Sequence, residues 1–422
     1  MSIFYKFLKK IFFILNDPYP SIAQQNYNNA SKLCEYDSTE FVKFEEKVLI
    51  KNSKIKYIAF YLTQFHKTEE NDLWWGENYT EWTAVTKAVP RYAEQYQPQL
   101  PIDIGFYNLL DINTWQQQIK IANNYGIDGF CFYFYWFNGK RLLHKPLDLF
   151  LNNKHLNINF CLFWANETWS RTWHGFGDSK VDQNEILIQQ NHHLIDDENF
   201  MKYLCNNIFI DNRYIFVGKK PLLIIYKPKL FPDIKKTVEL WQNIAKSYGY
   251  NEGIHLSYVL DDSKNNDPSL FKFHSATQFS PYAFNNLKNY NKIINFVEPC
   301  IKEDVFDYNE VVAIEHQRKF NIPVFRTTFP SWDNEARKPK KSRSFYKNTP
   351  ELFRNYLMNM STYALNNPID GSSIVFINAW NEWAEGAHLE PDIKYGYAWL
   401  DQIYKVKTIL EYSNCNIQQK NH

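Results

Sequence analysis

The chain has 422 residues, is 45% hydrophobic and 18% aromatic, and carries a formal net charge of +1. That balance, with no Lys/Arg run interleaved among the aromatics, excludes the basic footprint of a nucleic-acid binder. The length suits one large α/β domain or two smaller ones, since barrels of this class exceed the norm of ~150 residues as single units.

At the amino terminus, Met1–Leu15 is apolar and basic, and Asp17, Pro18 and Pro20 break it. Interrupted by Lys6, Lys9 and Lys10, it is too short to span a bilayer, and no small-residue cleavage site follows it. As a helix it fits a membrane surface or the surface of its own domain equally well. The six cysteines show no zinc spacing, and Cys131 and Cys161 sit inside apolar runs as small buried hydrophobes. A reduced, cytoplasmic setting is expected, peripheral on the inner face of the membrane if residues 1–15 bind lipid.

From Lys56 onward, short apolar runs alternate with helical stretches. The runs are Tyr57–Leu62, Gly129–Trp136, Ile158–Trp164, Pro221–Tyr226, Ile254–Leu260, Ala276–Phe279, Pro323–Thr328 and Ser373–Ala379. Amphipathic helices are predicted at Ile112–Tyr125, Asn199–Asn206, Ile234–Tyr248, Tyr308–Phe320 and Glu351–Asn366. This alternation implies right-handed β-α units on a parallel sheet. Eight such units favour a closed (β/α)8 barrel of the TIM type at 54–405, after an extension at 1–53 and before a tail at 406–422. No dinucleotide or P-loop glycine pattern follows any run, so no cofactor is expected.

Barrel enzymes place reacting groups at the carboxyl ends of strands. Those ends collect Tyr61, Gln64 and His66; Tyr133, Tyr135 and Trp136; Trp164, Asn166, Glu167, Trp169 and Arg171; Tyr226; Tyr258, Asp261 and Asp262; and Trp332, Asp333 and Asn334. The eighth run, Ile374–Ile377, leads into Asn378, Trp380, Asn381, Glu382, Trp383, Glu385 and His388. Carboxyls beside indoles and amides suit carbohydrate chemistry, which needs stacking faces, hydrogen-bond partners, and acids to protonate one oxygen and activate another. Glu382 and Glu385 equally suit the start of a helix, where acids favour the dipole.

Glu167 is the rival carboxylate, unless Arg171 neutralises it as an ion pair. Glu81, in the first loop with Trp74 and Trp75, reads as a loop anchor. Asp333 suits substrate hydrogen bonding or the orientation of a catalytic glutamate. His66 and His388 fit either the cleft or the core. His192 and His193 read as surface residues, because a metal site needs spaced, convergent ligands. No metal is expected, and no Asp-x-Asp occurs to hold one with a nucleotide-sugar.

Several stretches together resemble the WbsX family, glycosyltransferases of bacterial surface polysaccharide biosynthesis such as O-antigen or capsule. They are Ala59–His66, Trp74–Gly76 with Thr80–Trp82, Gln97–Pro101, Gly126–Phe130, Trp164–Glu167, Phe329–Asn334 and Asn381–Gly386 through Pro391, spanning about residues 55–400. At greater distance the chain is similar to the endo-α-mannosidases of glycoside hydrolase family 99. The resemblance implies a (β/α)8 fold and a glycan or glycolipid substrate. It also implies that Glu382 is a base and Glu385 a general acid. In that family the base deprotonates the sugar 2-hydroxyl, which attacks the anomeric carbon, so the linkage is retained without an enzyme nucleophile. Those hydrolases have His where this chain has Ala384, so the carry-over covers the acid pair and not the detailed substrate contacts. Transfer to an acceptor, retaining endo-hydrolysis and non-catalytic glycan binding all remain open, with transfer favoured over hydrolysis.

Overall fold

The computed structural model describes residues 40–48, 50, 53–171, 185–260, 267–281, 284 and 287–420, with side chains to 412. Residues 1–15 and the rim acids Asp261 and Asp262 lie outside them. Eight strands form the barrel: β1 (Ile55–Tyr61), β2 (Gly129–Phe137), β3 (Asn159–Trp164), β4 (Lys220–Ile225), β5 (His255–Val259), β6 (Ser275–Thr277), β7 (Val324–Thr328) and β8 (Ser373–Ile377). Every neighbouring pair is parallel, and β1 pairs with both β8 and β2, so the barrel sheet closes on itself. Closure removes the open backbone edges. Gly129 sits where β1, β2 and β3 crowd together. A Cβ there would lie 2.9 Å from the Asn159 carbonyl oxygen and 3.0 Å from the Ile58 side chain.

The first loop carries α1 (Glu69–Trp75) and α2 (Glu81–Val85). Around the barrel lie α3 (Ile112–Asn124), α4 (Lys145–Asn152), α5 (Leu194–Asn207), α6 (Ile234–Ser247), α7 (Tyr308–Gln317), α8 (Pro350–Asn366) and α9 (Ala398–Lys420). Side chains cap several of them: Asp111 accepts from the Asn113 amide, Asp233 from Lys236, Asp307 from Asn309 and Thr349 from Leu352. Each satisfies a backbone donor that the first helical turn leaves unpaired. Helix α5 starts at Leu194, ahead of the expected Asn199, because its first turn is useful to the core. There the Asp197 carbonyl accepts the Trp241 indole at 2.8 Å, and its carboxyl accepts the Thr237 hydroxyl at 2.8 Å.

Packing continues past both expected boundaries of the barrel. The limit at 405/406 falls inside α9, where buried Lys407 donates to both Asp128 carboxyl oxygens at 2.7 Å and to the Gly126 carbonyl at 2.8 Å. Ahead of 54, Val42 exchanges backbone hydrogen bonds with Tyr395 and Tyr397, and the Phe44 ring packs on Tyr125 and Tyr397. Among the described residues no helix is long and apolar enough to cross a membrane.

Strand parity sorts the aromatics into two layers, since successive side chains leave a strand on opposite faces. Phe60 meets Tyr133, Phe163, Phe279 and Phe376 across the barrel interior, with ring centroids 5.1–6.1 Å apart. One residue along, Tyr61, Trp136 and Trp164 face outward. Tyr61 stacks on Trp115 and donates to Gln118 at 2.6 Å. Trp136 packs on Phe200 and Tyr203, and Trp164 packs on Phe200 and Trp241. This interleaving places the site.

Candidate active site

Beyond β8 the chain makes a tight hairpin: Asn381–Glu382 pairs antiparallel with Ala387–His388 around a 3-10 turn at Trp383–Glu385. Gly386 ends the turn at φ 59°, and a Cβ there would come within 2.9 Å of the Asp333 backbone. Only glycine meets both demands without strain. Buried Glu390 anchors the hairpin from outside the cleft. It accepts the Trp380 indole at 3.0 Å, the Trp383 indole at 2.6 Å, the Tyr107 hydroxyl at 2.8 Å and the Gln118 amide at 2.6 Å. Burial pushes its carboxyl up to about 7, while these four donors favour the carboxylate. Asn381 clamps the Leu62 backbone, accepting from its N–H at 2.8 Å and donating to its carbonyl at 3.0 Å. His388 stacks on Trp383 and bonds Gln99 at 2.8 Å, and burial lowers its pKa to about 3, so it is neutral.

Held this way, Glu382 and Glu385 both face a cleft of about 140 Å³ at the carboxyl ends of the strands. Arg337, from the loop after β7, lies between them. Its Nη2 is 2.9 Å from Glu382 and 2.7 Å from Glu81, and its Nε is 3.3 Å from Glu385. Three carboxyls therefore share one guanidinium in a buried place, and full ionisation would leave two uncompensated negative charges. Burial is the largest cause lifting each acid. Glu385, with Glu382 beside it, is pushed up to about 8, and Glu81 to about 7. Glu382 is also raised, with Arg337 and the Tyr133 hydroxyl pulling it back. One carboxyl that keeps its proton at neutral pH beside one that is ion-paired is an acid and base arrangement.

The cleft brings together some of the expected residues and not others. Gln64, Glu167 and Tyr226 line it with the acids. Tyr61, Trp136 and Trp164 do not, because their strand parity sends them into the helical layer. Trp136 donates its indole N–H to Asp196 there, at 3.0 Å. Trp380 and Trp383 serve Glu390, and Asn378 donates to the Ser280 carbonyl at 2.7 Å. Asn166 is a clamp like Asn381, with the Lys227 backbone as its partner at 2.8 and 3.0 Å. His66 is buried outside the cleft lining, and burial lowers its pKa to about 4. Trp332 and Asp333 line a separate cavity beyond the hairpin. The Asp333 backbone N–H donates to the Glu385 carbonyl at 2.8 Å, so Asp333 touches the turn that carries that acid. Its carboxyl turns away to Gln95 at 2.8 Å.

Two further expectations are corrected, and a third gains its partner. Glu167 pairs with Lys227 rather than Arg171, whose Nε reaches Glu185. His192 is buried, packed between Trp164 and Phe231, while His193 is exposed. Glu81, expected to anchor the first loop, is fully buried and pairs with Arg337 at 2.7 Å, which ties that loop to the acid cluster.

Arg337 went unseen because it follows β7 by several residues in a polar stretch with no local pattern. Tyr133 and Tyr135, already named among the strand ends, line the cleft floor with Phe163 and Phe279, and parity from Phe60 is the signal that finds Phe163. Trp74, Trp75, Trp169 and Asn71 complete the walls. Among the described residues no group of three or more His, Cys, Asp or Glu side chains is arranged to hold a metal. At the acid cluster, Arg337 takes the central position.

The family model described as "Glycosyltransferase WbsX" matches residues 57–403. The chain belongs to the WbsX glycosyltransferase family. A curated relative, "Uncharacterized protein WxcX" from Xanthomonas campestris pv. campestris (strain B100), is 39% identical over 349 residues, covering 82% of this chain and 48% of that protein. The chain thus spans about half the length of the curated relatives it matches. Among solved structures, a family 99 endo-α-mannosidase from Bacteroides thetaiotaomicron aligns with a TM-score of 0.52 at 12% identity, covering 85% of this chain and 98% of that one. A "Glycoside hydrolase-like protein" aligns at 0.51 with 14% identity, covering 87% and 98%. At these identities the structural matches speak for the barrel alone. WbsX membership and that fold together support a glycan-active enzyme of polysaccharide metabolism.

Proposed function

We propose that this protein cleaves and re-forms glycosidic bonds during surface polysaccharide assembly, with Glu382 as base, Glu385 as general acid and a sugar acceptor favoured over water. The carrying observation is one guanidinium shared by two cleft carboxyls, of which Glu385 keeps its proton near neutral pH. In the proposed sequence Glu382 takes the proton of a sugar 2-hydroxyl and O2 bonds to the anomeric carbon. The bond to the leaving oxygen breaks as Glu385 gives that oxygen its proton. An acceptor hydroxyl then loses its proton to Glu385 and attacks the same carbon. The O2 bond to that carbon opens, and O2 recovers its proton from Glu382. Tyr133, Tyr135, Tyr226, Trp74, Trp75 and Trp169 supply rings for sugar faces, and Gln64 and Asn71 supply hydrogen bonds.

The test incubates purified protein with α-mannan-type oligosaccharides and a labelled sugar acceptor, following both cleavage and transfer products. Transfer products dominating, and vanishing in Glu382→Gln and Glu385→Gln, support the reading. Glycan binding without turnover in wild type, unchanged in both variants, would reduce the barrel to a binding module. Aryl glycosides separate the two roles, because a leaving group stable as an anion needs no protonation. Glu385→Gln should keep far more activity on them than Glu382→Gln. Membrane-surface contact through residues 1–15 belongs to the same proposal, placing the enzyme on the cytoplasmic face. Deleting them should move the protein from the membrane fraction without lowering its melting temperature.

A further inference from the structure

We propose that Glu81 is a positioning residue: its carboxylate holds the Arg337 guanidinium back, so that one cation is divided among three acids instead of serving Glu382 and Glu385 alone. The proposal rests on the reading of those two as the working pair. Glu81 comes from α2, far from them in sequence, yet its side chain is wholly buried and lies 2.7 Å from Arg337 Nη2. Glu382 approaches the same Nη2 at 2.9 Å, so the two acids compete for one end of the guanidinium. Glu385 meets Nε at a longer 3.3 Å.

Without Glu81, Arg337 and two carboxylates could balance more closely, and the pressure to keep a proton on Glu385 would fall. A buried carboxylate is costly unless it is paired, and Glu81 finds its pair in the same guanidinium that the two cleft acids use. The charged and titratable groups around Glu385 are Glu382 on its own hairpin, Arg337 and Lys338 after β7, and Glu81 on α2. Tyr133 and Tyr135 on β2 and Tyr226 after β4 also face it, all neutral because burial raises each hydroxyl. Of the acids, Glu81 and Glu382 both push Glu385 toward its protonated form.

The experiment titrates the full chain, labelled with 13C at glutamate carboxyls, by NMR, identifying the Glu385 resonance by its loss in Glu385→Gln. Glu81→Gln should move the Glu385 midpoint downward by about one unit or more, a tenfold change in its proton affinity. Glu81→Asp, whose shorter arm reaches Arg337 less well, should give a smaller shift in the same direction and serves if the glutamine variant does not fold. An unchanged or raised midpoint in the folded variant overturns the proposal, since a purely structural Glu81 would leave it in place. The readout needs no substrate. A lowered midpoint with no glycan turnover in wild type therefore upholds the role of Glu81 while the functional reading falls. An unmoved midpoint beside abolished turnover in the two glutamine variants of the pair does the reverse.

Discussion

Two rims of this barrel are built alike and do different things. After β3 the chain reads Trp164, Asn166, Glu167; after β8 it reads Trp380, Asn381, Glu382. In both, the indole turns away from the cleft, the amide clamps the backbone beside the next strand around the barrel, and the glutamate enters the cleft. The clamps match to 0.1 Å: Asn166 on Lys227 at 2.8 and 3.0 Å, Asn381 on Leu62 at 2.8 and 3.0 Å. The glutamates differ only in their company. Glu167 meets Lys227, which is 44% exposed and screened by water. Glu382 meets a buried Arg337 that must also serve Glu81 and Glu385. A local motif can aim a carboxyl, but partners brought from distant loops decide its protonation.

The largest effect should separate the two rims by rate. Glu382→Gln and Glu385→Gln should each lower turnover by ~10²–10⁴-fold, and Glu167→Gln by under about tenfold. Selective rescue of Glu167→Gln by an aryl leaving group, with none for Glu385→Gln, would move the general acid to β3 and break the comparison.

Stability against pH is the next contrast. Glu385 has a folded pKa of about 8, above the ordinary 4.5, so between those values the native state holds more protons than the unfolded one. Stability from this group is therefore full below about 4.5 and declines as pH rises toward 8. Glu385→Gln should flatten that decline, gaining on the order of a few kcal/mol over wild type at pH 8 relative to pH 5 in urea melts. A pH slope equal to wild type would mean that Glu385 titrates as an ordinary acid.

The clamps sharpen the likeness. Asn166→Ala and Asn381→Ala each strip partners from a backbone N–H and carbonyl, and should cost about 1–3 kcal/mol each. Only Asn381→Ala should also slow turnover, because it lets the acid hairpin drift. Lys227→Met should change least, by under about 1 kcal/mol in a urea melt, as a half-exposed pair contributes little. A loss several times larger would show that Glu167 depends on its lysine as Glu382 does on Arg337.

Much of this fold was legible because strand existence is a local property. The runs beginning near Tyr57, Gly129 and Ser373 are too apolar and too rich in aromatic or β-branched residues to be loops, and caps such as Asp111 and Thr349 mark where helices start. β6 is shorter than expected, ending at Thr277, so Phe279 lies past the strand and on the cleft floor. In the cleft lining, Glu382 and Glu385 were legible from spacing, and Gln64, Tyr133, Tyr135, Glu167, Trp169 and Tyr226 from their place at strand ends. In Gly129–Phe137 all nine residues are buried, so no polar alternation distinguishes the inner Tyr133 and Tyr135 from the outer Trp136. Tyr61, Trp136 and Trp164, expected at the cleft, face the helices, while Tyr133 and Tyr135 line it.

By itself the sequence determined a closed parallel barrel and a pair of carboxyls at the end of its last strand, because periodicity and short-range spacing are written in consecutive residues. Only the tertiary structure decided which aromatics face the cleft, since facing depends on how eight strands close. It also decided which acid keeps its proton. That depends on Arg337 and Glu81 arriving from loops some 250 positions apart, and burial turns their few ångströms of separation into chemistry.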